Sequence, residues 1–267
     1  MNALSADVKA RTRLEFRDVT KRFASKRGPG ITAVQGLNIS IRDGEVVSII
    51  GPSGCGKSTL LNMASGLDPA SEGDVFVDGV RVERPNAHVA FMLQKDLLLP
   101  WRTIRHNVEF GLEILGRPAR ERRGIAMDLL AKCRLRGFED HYPNQLSGGM
   151  RQRAALARTL AVDPSVLLMD EPFSALDAQT KMVLQQDLGR TLAETGKTAL
   201  FVTHDLVEAI ALSHRVLVMS QRPGTIIEEI VVDIPDISNP MARRTHPHVG
   251  PYVARLMELL HIDEADA

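Results

Sequence analysis

Residues 51–59 read GPSGCGKST, a G-x-x-x-x-G-K-[ST] spacing that begins directly after the apolar run VVSII. Glycines at 51, 54 and 56 let backbone N–H groups turn inward around phosphate oxygens, and a helix opening there adds its partial positive charge. Lys57 then reaches the terminal phosphates, and the Ser58 hydroxyl suits Mg²⁺. Farther along, Asp170 and Glu171 follow the apolar run VLLM. A buried strand at that point delivers both carboxylates to the phosphate end of a sheet. Asp170 suits Mg²⁺ coordination through water, and Glu171 suits a base that polarises attacking water. The competing reading of this acidic pair is a cap for the next helix.

A third stretch, LSGGM at 146–150, places two glycines at the mouth of an alanine-rich helical pattern. Glycine lowers helix propensity and leaves N–H groups uncovered. Glycines in that position cost stability unless something uses the uncovered N–H groups, so a ligand is to be sought there.

These residues need elements to hold them. LEFRDVT reads as a strand and SKRGPGI as a hairpin connection. VVSII, HVAFML, VLLMD, TALFVTHD, RVLVM and TIIEEIVV read as further strands, the most apolar of them buried on both faces. Strand signals vanish from Ile104 to about Ala161, where helical patterns take over. Leu184, Leu188 and Leu192 repeat at helical spacing, and VARLMELL forms an amphipathic helix near the end. The expected fold is α/β with an inserted helical segment.

Composition narrows the class. The 267 residues are 44% hydrophobic and carry 33 basic against 33 acidic side chains, a balance that argues against an electrostatic nucleic-acid binder. Arg117, Arg120, Arg122 and Arg123 read as a solvated face. Two cysteines far apart, Cys55 and Cys133, give no disulfide framework and point to a reducing compartment. No apolar run approaches the ~18 residues of a membrane span, and the N-terminus has no signal-peptide core. Cys55, at a helix start beside Lys57, is expected to have a lowered pKa and to react faster than Cys133. His246 and His248 read as surface residues, two imidazoles being too few for a metal site.

The motifs GPSGCGKS, LSGGMRQR, VLLMDEP, SALD and the histidine of VTHD occur once each, in this order. Together they resemble those of ABC transporter ATPase subunits, and the resemblance covers nearly the whole chain. It implies a P-loop NTPase core, a mixed sheet with flanking helices and an antiparallel β edge region, with an α-helical subdomain inserted at about 95–162. A tail would occupy 1–13, the ABC ATPase domain 14–267, and a C-terminal helical segment about 249–262.

The resemblance also implies site roles. ATP and Mg²⁺ would be held by Gly51, Pro52, Ser53, Gly54, Cys55, Gly56, Lys57, Ser58 and Thr59, with Phe23 stacking on adenine. Ser58, Gln94 and Asp170 would serve the metal. Glu171, His204, Gln94 and Lys57 would serve catalysis, Gln94 as the Q-loop residue and His204 as the switch histidine. Ser147, Gly148 and Gly149 would cap the γ-phosphate held by a partner's P-loop, and Asp177 would reach across the same homodimer.

QKDLLLPWRTIRHNV and SQRPGTIIEEIVVDIP resemble the nitrate/sulfonate/taurine import branch. That likeness implies peripheral attachment at the cytoplasmic face of the inner membrane. Permease subunits would dock near Leu97, Leu98, Leu99, Pro100 and Trp101, and a periplasmic or extracellular solute-binding protein would act indirectly. The alternative is a non-transport ABC ATPase acting on a macromolecular complex, which would be expected to show a coiled-coil insertion or tandem cassettes.

Overall fold

Continuous β-branched and leucine-rich runs need cover on both faces, and the chain supplies it by alternating them with helices. The computed structural model describes residues 11–24, 30–174 and 176–261. The chain order is β1 (Thr12–Phe23), β2 (Ile31–Arg42), β3 (Val46–Ile50), α1 (Lys57–Ser65), β4 (Glu72–Val77), β5 (Val80–Arg81) and β6 (Val89–Met92). Then come α2 (Ile104–Ile114), α3 (Ala119–Lys132), α4 (Gly148–Ala161), β7 (Val166–Asp170), α5 (Ala178–Thr195) and β8 (Thr198–Val202). The remainder is α6 (Leu206–Leu212), β9 (Arg215–Met219), β10 (Ile226–Val231), α7 (Pro240–Arg244) and α8 (Val249–Leu259).

Two sheets form among the described residues. In one, β6, β7, β8, β3 and β9 run parallel, with β10 antiparallel at the edge. Every residue of β3 and β8 is buried, the polar Ser48 and Thr198 included. The other sheet is antiparallel, in the order β2-β1-β4-β5. Along β1 the buried face carries Leu14, Phe16 and Val19, and a register shift between Phe16 and Val19 resets the alternation. β4 lies outside the strands expected from the sequence; it pairs with β1 from the side opposite β2.

The helical stretch between β6 and β7 comprises α2, α3 and α4. Ile104, Val108, Leu112, Ala126, Leu130, Ala154 and Ala157 share its interior, continuous with Met92 and Met169 of the sheet. Leu184, Leu188 and Leu192 of α5 are buried in the same cluster, as their spacing predicts. At the other end, α7 and α8 fold against α6: buried Arg243 donates to the carbonyls of Ile210 (3.1 Å) and Ser213 (2.7 Å), satisfying the end of α6.

β1 starts at Thr12, so residues 12 and 13 belong to a strand and not to the expected tail. Residues 1–10 of that tail, most of the SKRGPGI connection (25–29) and residue 262 of the C-terminal segment lie outside the described residues.

Candidate functional site

Strand register decides where the chemistry meets. In the parallel sheet Val202 of β8 lies opposite Ile49 of β3 on one side and Asp170 of β7 on the other. The segments that leave these strands, at 51, 171 and 203, therefore emerge at one edge of the sheet, where an open α/β sheet forms its binding crevice.

The first of these segments is the glycine loop. Gly54 and Gly56 have φ of 75° and 109°, values a side chain would resist. A Cβ on Gly56 would also sit 2.5 Å from Val34 Cγ1, so the loop is pressed against β2. Gly56 is the N-cap of α1 and provides no side-chain cap, which leaves N–H groups of the first turn for an anion. Lys57 folds back over the loop and donates from Nζ to the carbonyls of Gly51 (2.8 Å) and Pro52 (2.9 Å). A cleft of about 460 Å³ opens here, lined by Ser53, Gly54, Gly56, Lys57, Ser58 and Thr59 together with Phe23, Glu171 and Arg222. Phe23 is 41% exposed, as an aromatic free to stack on a ligand must be, and Lys21 Nζ lies 5.2 Å from its ring.

Cys55 departs from expectation. Its side chain is 1% exposed and packs in the core, so only its backbone belongs to the loop. Lys57 Nζ is 3.9 Å from its sulfur, but burial removes the access that a reactive thiolate needs. Cys133 is buried as well, and burial foremost, with Asp187 adding to it, pushes its thiol up to about 12.

At the end of β7, Asp170 is held above its ordinary value by burial; the Ser58 hydroxyl opposes this, Glu171 adds to it, and Lys57 opposes it. A half-buried carboxylate against a hydroxyl is a hard-oxygen donor set, the kind Mg²⁺ takes. Glu171 has φ of 46°, a conformation that costs a non-glycine residue about 1–3 kcal/mol and clusters at functional sites. Its N–H donates to Val202 O (3.0 Å), which locks the turn to the neighbouring strand. Two groups converge on its carboxylate: Gln94 Nε2 donates to Oε2 at 3.1 Å, and His204 Nδ1 lies 3.6 Å from the same oxygen. Ser174 Oγ accepts from Gln94 (3.2 Å) and donates to Glu171 O (3.1 Å).

Ser147, Gly148, Gly149 and Asp177 are not among the residues lining the cleft. Ser147 caps α4, accepting from Met150 N at 3.3 Å, and Asp177 caps α5, accepting from Thr180 N at 3.0 Å. The two glycines are not equivalent. Gly148 is exposed with room beside it, whereas a Cβ on buried Gly149 would lie 2.3 Å from Thr180 Cγ2. Gly149 thus has a packing reason, the close approach of α4 to the start of α5, which reading the glycine pair as an anion site alone overlooks.

The sequence reading also omits the side chains of α4 that hold the segment after Gln94. Gln152 Nε2 donates to Gln94 O (3.1 Å), Arg151 Nε to Asp96 (3.0 Å), and Arg158 to the carbonyls of Asp96 and Leu97 (both 2.7 Å). Buried Asn107 of α2 binds both the N–H (2.7 Å) and the carbonyl (3.1 Å) of Leu99. For Arg151 and Gln152 the advance signal was the polar letters RQR within a helix rich in small residues. The loop so braced presents Leu97 and Trp101, the latter 71% exposed, while Leu98 is 7% exposed and anchors the loop inward. Leu98 is therefore removed from the surface expected to dock a partner, and the tryptophan is no core anchor.

His246 and His248 meet edge to face, with ring centroids 4.8 Å apart. No group of three or more metal-ligating side chains occurs among the described residues. Arg122 is only partly solvated: it faces Glu109 at 3.8 Å and donates to Arg117 O at 3.1 Å.

The family profile described as ABC transporter matches residues 34–174. An uncharacterized ABC transporter ATP-binding protein of Methanocaldococcus jannaschii is 46% identical over 84% of each chain. The nitrate import ATP-binding protein NrtD of Synechocystis is 44% identical over 87% of each. The taurine import ATP-binding protein TauB of Yersinia pestis is 45% identical over 75% of this chain and 79% of its own. Among solved structures, a dimeric ATP-binding cassette in a post-hydrolysis state, bound to ADP and Pi, superposes with a TM-score of 0.74 at 34% identity. That match covers 83% of this chain and all of the other.

Proposed function

The chain belongs to the ABC transporter ATP-binding family and is an ATP hydrolase of that family, and from this we propose that it powers solute import through separate membrane subunits. The observation that carries the hydrolytic part is the convergence of Gln94 and His204 on one oxygen of Glu171, beside the glycine loop.

The backbone N–H groups at the start of α1 and Lys57 bind the phosphate chain, and Phe23 stacks on the base. Ser58, Asp170 and Gln94 would hold Mg²⁺, which when bound neutralises charge on the β- and γ-phosphates. Glu171 accepts the proton of a water whose oxygen attacks the γ-phosphorus, while the bond to the bridging oxygen breaks and leaves ADP and phosphate. Gln94 donates to the carboxylate that takes the proton and so fixes its orientation. His204 would hold the γ-phosphate and the same carboxylate together, a role supported by its approach to Glu171. Ser147, Gly148 and Gly149 meet the γ-phosphate of a second copy, a reading that their place outside this chain's own cleft supports, as does the dimeric form of the similar cassette.

Import is favoured by the similarity to nitrate and taurine import proteins. The exposed pair Leu97 and Trp101 supplies an apolar dock for a permease. Through Gln152, Arg151 and Arg158 this dock shares helix α4 with Ser147, so closure of the dimer moves both as one body. No helix among the described residues is long and apolar enough to cross a membrane; attachment at the cytoplasmic face would come through the permease subunits.

Glu171→Gln tests the hydrolytic reading. It should retain ATP binding and lose turnover by a factor on the order of 10²–10⁴, measured with the permease subunits that co-purify with the chain. Near-normal turnover would overturn the assignment of Glu171, and failure to co-purify with any integral membrane protein would overturn transport.

A further inference from the structure

The segment SQRPGT, residues 220–225, packs on the phosphate loop without any part in the hydrolytic centre described above. Gly224 N donates to Ala33 O (2.9 Å) and Gly224 O accepts from Gln35 N (3.1 Å), which ties the segment to β2. A Cβ on Gly224 would lie 2.1 Å from Cys55 O, so the two backbones touch. The segment is closed on itself by Ser220 Oγ, which accepts from Thr225 N at 3.0 Å.

From this fixed base Arg222 extends over the glycine loop. Its Nε and Nη2 both donate to Gly54 O, at 3.1 and 2.7 Å. One edge of the guanidinium is thereby docked on a neutral acceptor. Among the described residues Nη1 has no partner and no carboxylate pairs with Arg222. The side chain is exposed and lines the cleft that holds Lys57, Ser58 and Glu171. Lys57, Arg222 and Glu171 are the charged side chains of that lining, so cations outnumber carboxylates two to one.

We propose that Arg222 is a second phosphate-binding cation: held by the Gly54 carbonyl, it presents the free part of its guanidinium to the phosphate chain of the nucleotide. Arginine suits the position because its planar fork can grip a carbonyl with one edge and keep N–H groups for an anion. Lysine has the charge without the second edge. This inference rests on the cleft being the nucleotide site.

The test is ATP binding by the whole chain, without turnover, at low and high salt, for wild type, Arg222→Gln, Arg222→Lys and Lys57→Ala. Arg222→Gln should weaken ATP binding by about tenfold at low salt, and the deficit should shrink at high salt because exposed charges are screened. Arg222→Lys should recover only part of the low-salt affinity, because it restores the charge without the fork that grips Gly54 O. Melting temperatures without nucleotide monitor the fold. An affinity within twofold of wild type for Arg222→Gln overturns the proposal, as does an equal loss at both salts, which would mean that the residue only shapes the loop. If Lys57→Ala also binds normally, the cleft itself is not the nucleotide site; if Lys57→Ala fails while Arg222→Gln binds normally, only the arginine's role is lost.

Discussion

Replacing Gly149 with alanine tests whether packing, and not only phosphate approach, demands a glycine there. The added Cβ would stand 2.3 Å from Thr180 Cγ2, against 3.5 Å from Thr180 Cβ and 3.7 Å from Oγ1. Carbon atoms rest about 3.5–4.0 Å apart, so α4 and the start of α5 must part by about 1 Å or Thr180 must turn. Overpacking of this kind costs about 1–3 kcal/mol, and alanine's better helix propensity returns at most about 1 kcal/mol. A net loss of about 1–2 kcal/mol is expected, a drop in Tm of about 2–8 °C for a chain of this size. Thr180→Ala removes Cγ2 and keeps the N–H that Asp177 accepts from. In the double variant the nearest remaining contact is the ordinary one at 3.5 Å, and stability should return. Urea unfolding of the four proteins closes a double-mutant cycle, with an expected coupling of about 1–2 kcal/mol. A coupling near zero, or a Gly149→Ala protein as stable as wild type, would refute the packing argument.

Burial pushes the Asp205 carboxyl up, but hydrogen bonds from Lys181 (2.8 Å) and Glu208 N (2.9 Å), with the lysine's charge, hold it below its ordinary value. A depressed folded pKa stabilises above the unfolded value of about 3.9 and is lost as pH falls through the folded one. The Tm deficit of Asp205→Asn should therefore be full at pH 7, begin to shrink as pH falls below about 4 and vanish only below the folded pKa; a constant deficit would contradict the linkage. Both cysteines should resist alkylation in the native fold and react once denaturant opens the core, so rapid native labelling of Cys55 would contradict its burial. Trp101 is the single tryptophan and is 71% exposed. Its emission should be red-shifted and quenched by acrylamide until permease is added, and Trp101→Ala should leave stability within about 0.5 kcal/mol; blue, unquenchable emission in the free chain would contradict the dock.

The amino-acid sequence alone was enough wherever the instruction is local. A tight loop opening a helix needs glycines within a few consecutive residues, and Gly54 and Gly56, both at positive φ just before α1, supply them. Buried strands and one-sided helices likewise announce themselves by apolar runs and by periods such as Leu184, Leu188 and Leu192. Tertiary structure decided what depends on distant partners. That Asp170 and the glycine loop share one edge follows from both Ile49 and Asp170 lying level with Val202, a register set by pairing across the sheet. Apolar letters do not tell which neighbour will cover them: in LLPW it is Leu98 that turns inward and Trp101 that stays in solvent. Nor does a glycine disclose whether it stands aside for an anion or for a neighbouring helix, because the Thr180 methyl that crowds Gly149 belongs to another element. Arg222 reaches the Gly54 carbonyl across 168 positions of chain. Nothing in RPG foretells that contact, since it exists only once β2 and the phosphate loop have folded against the same short turn.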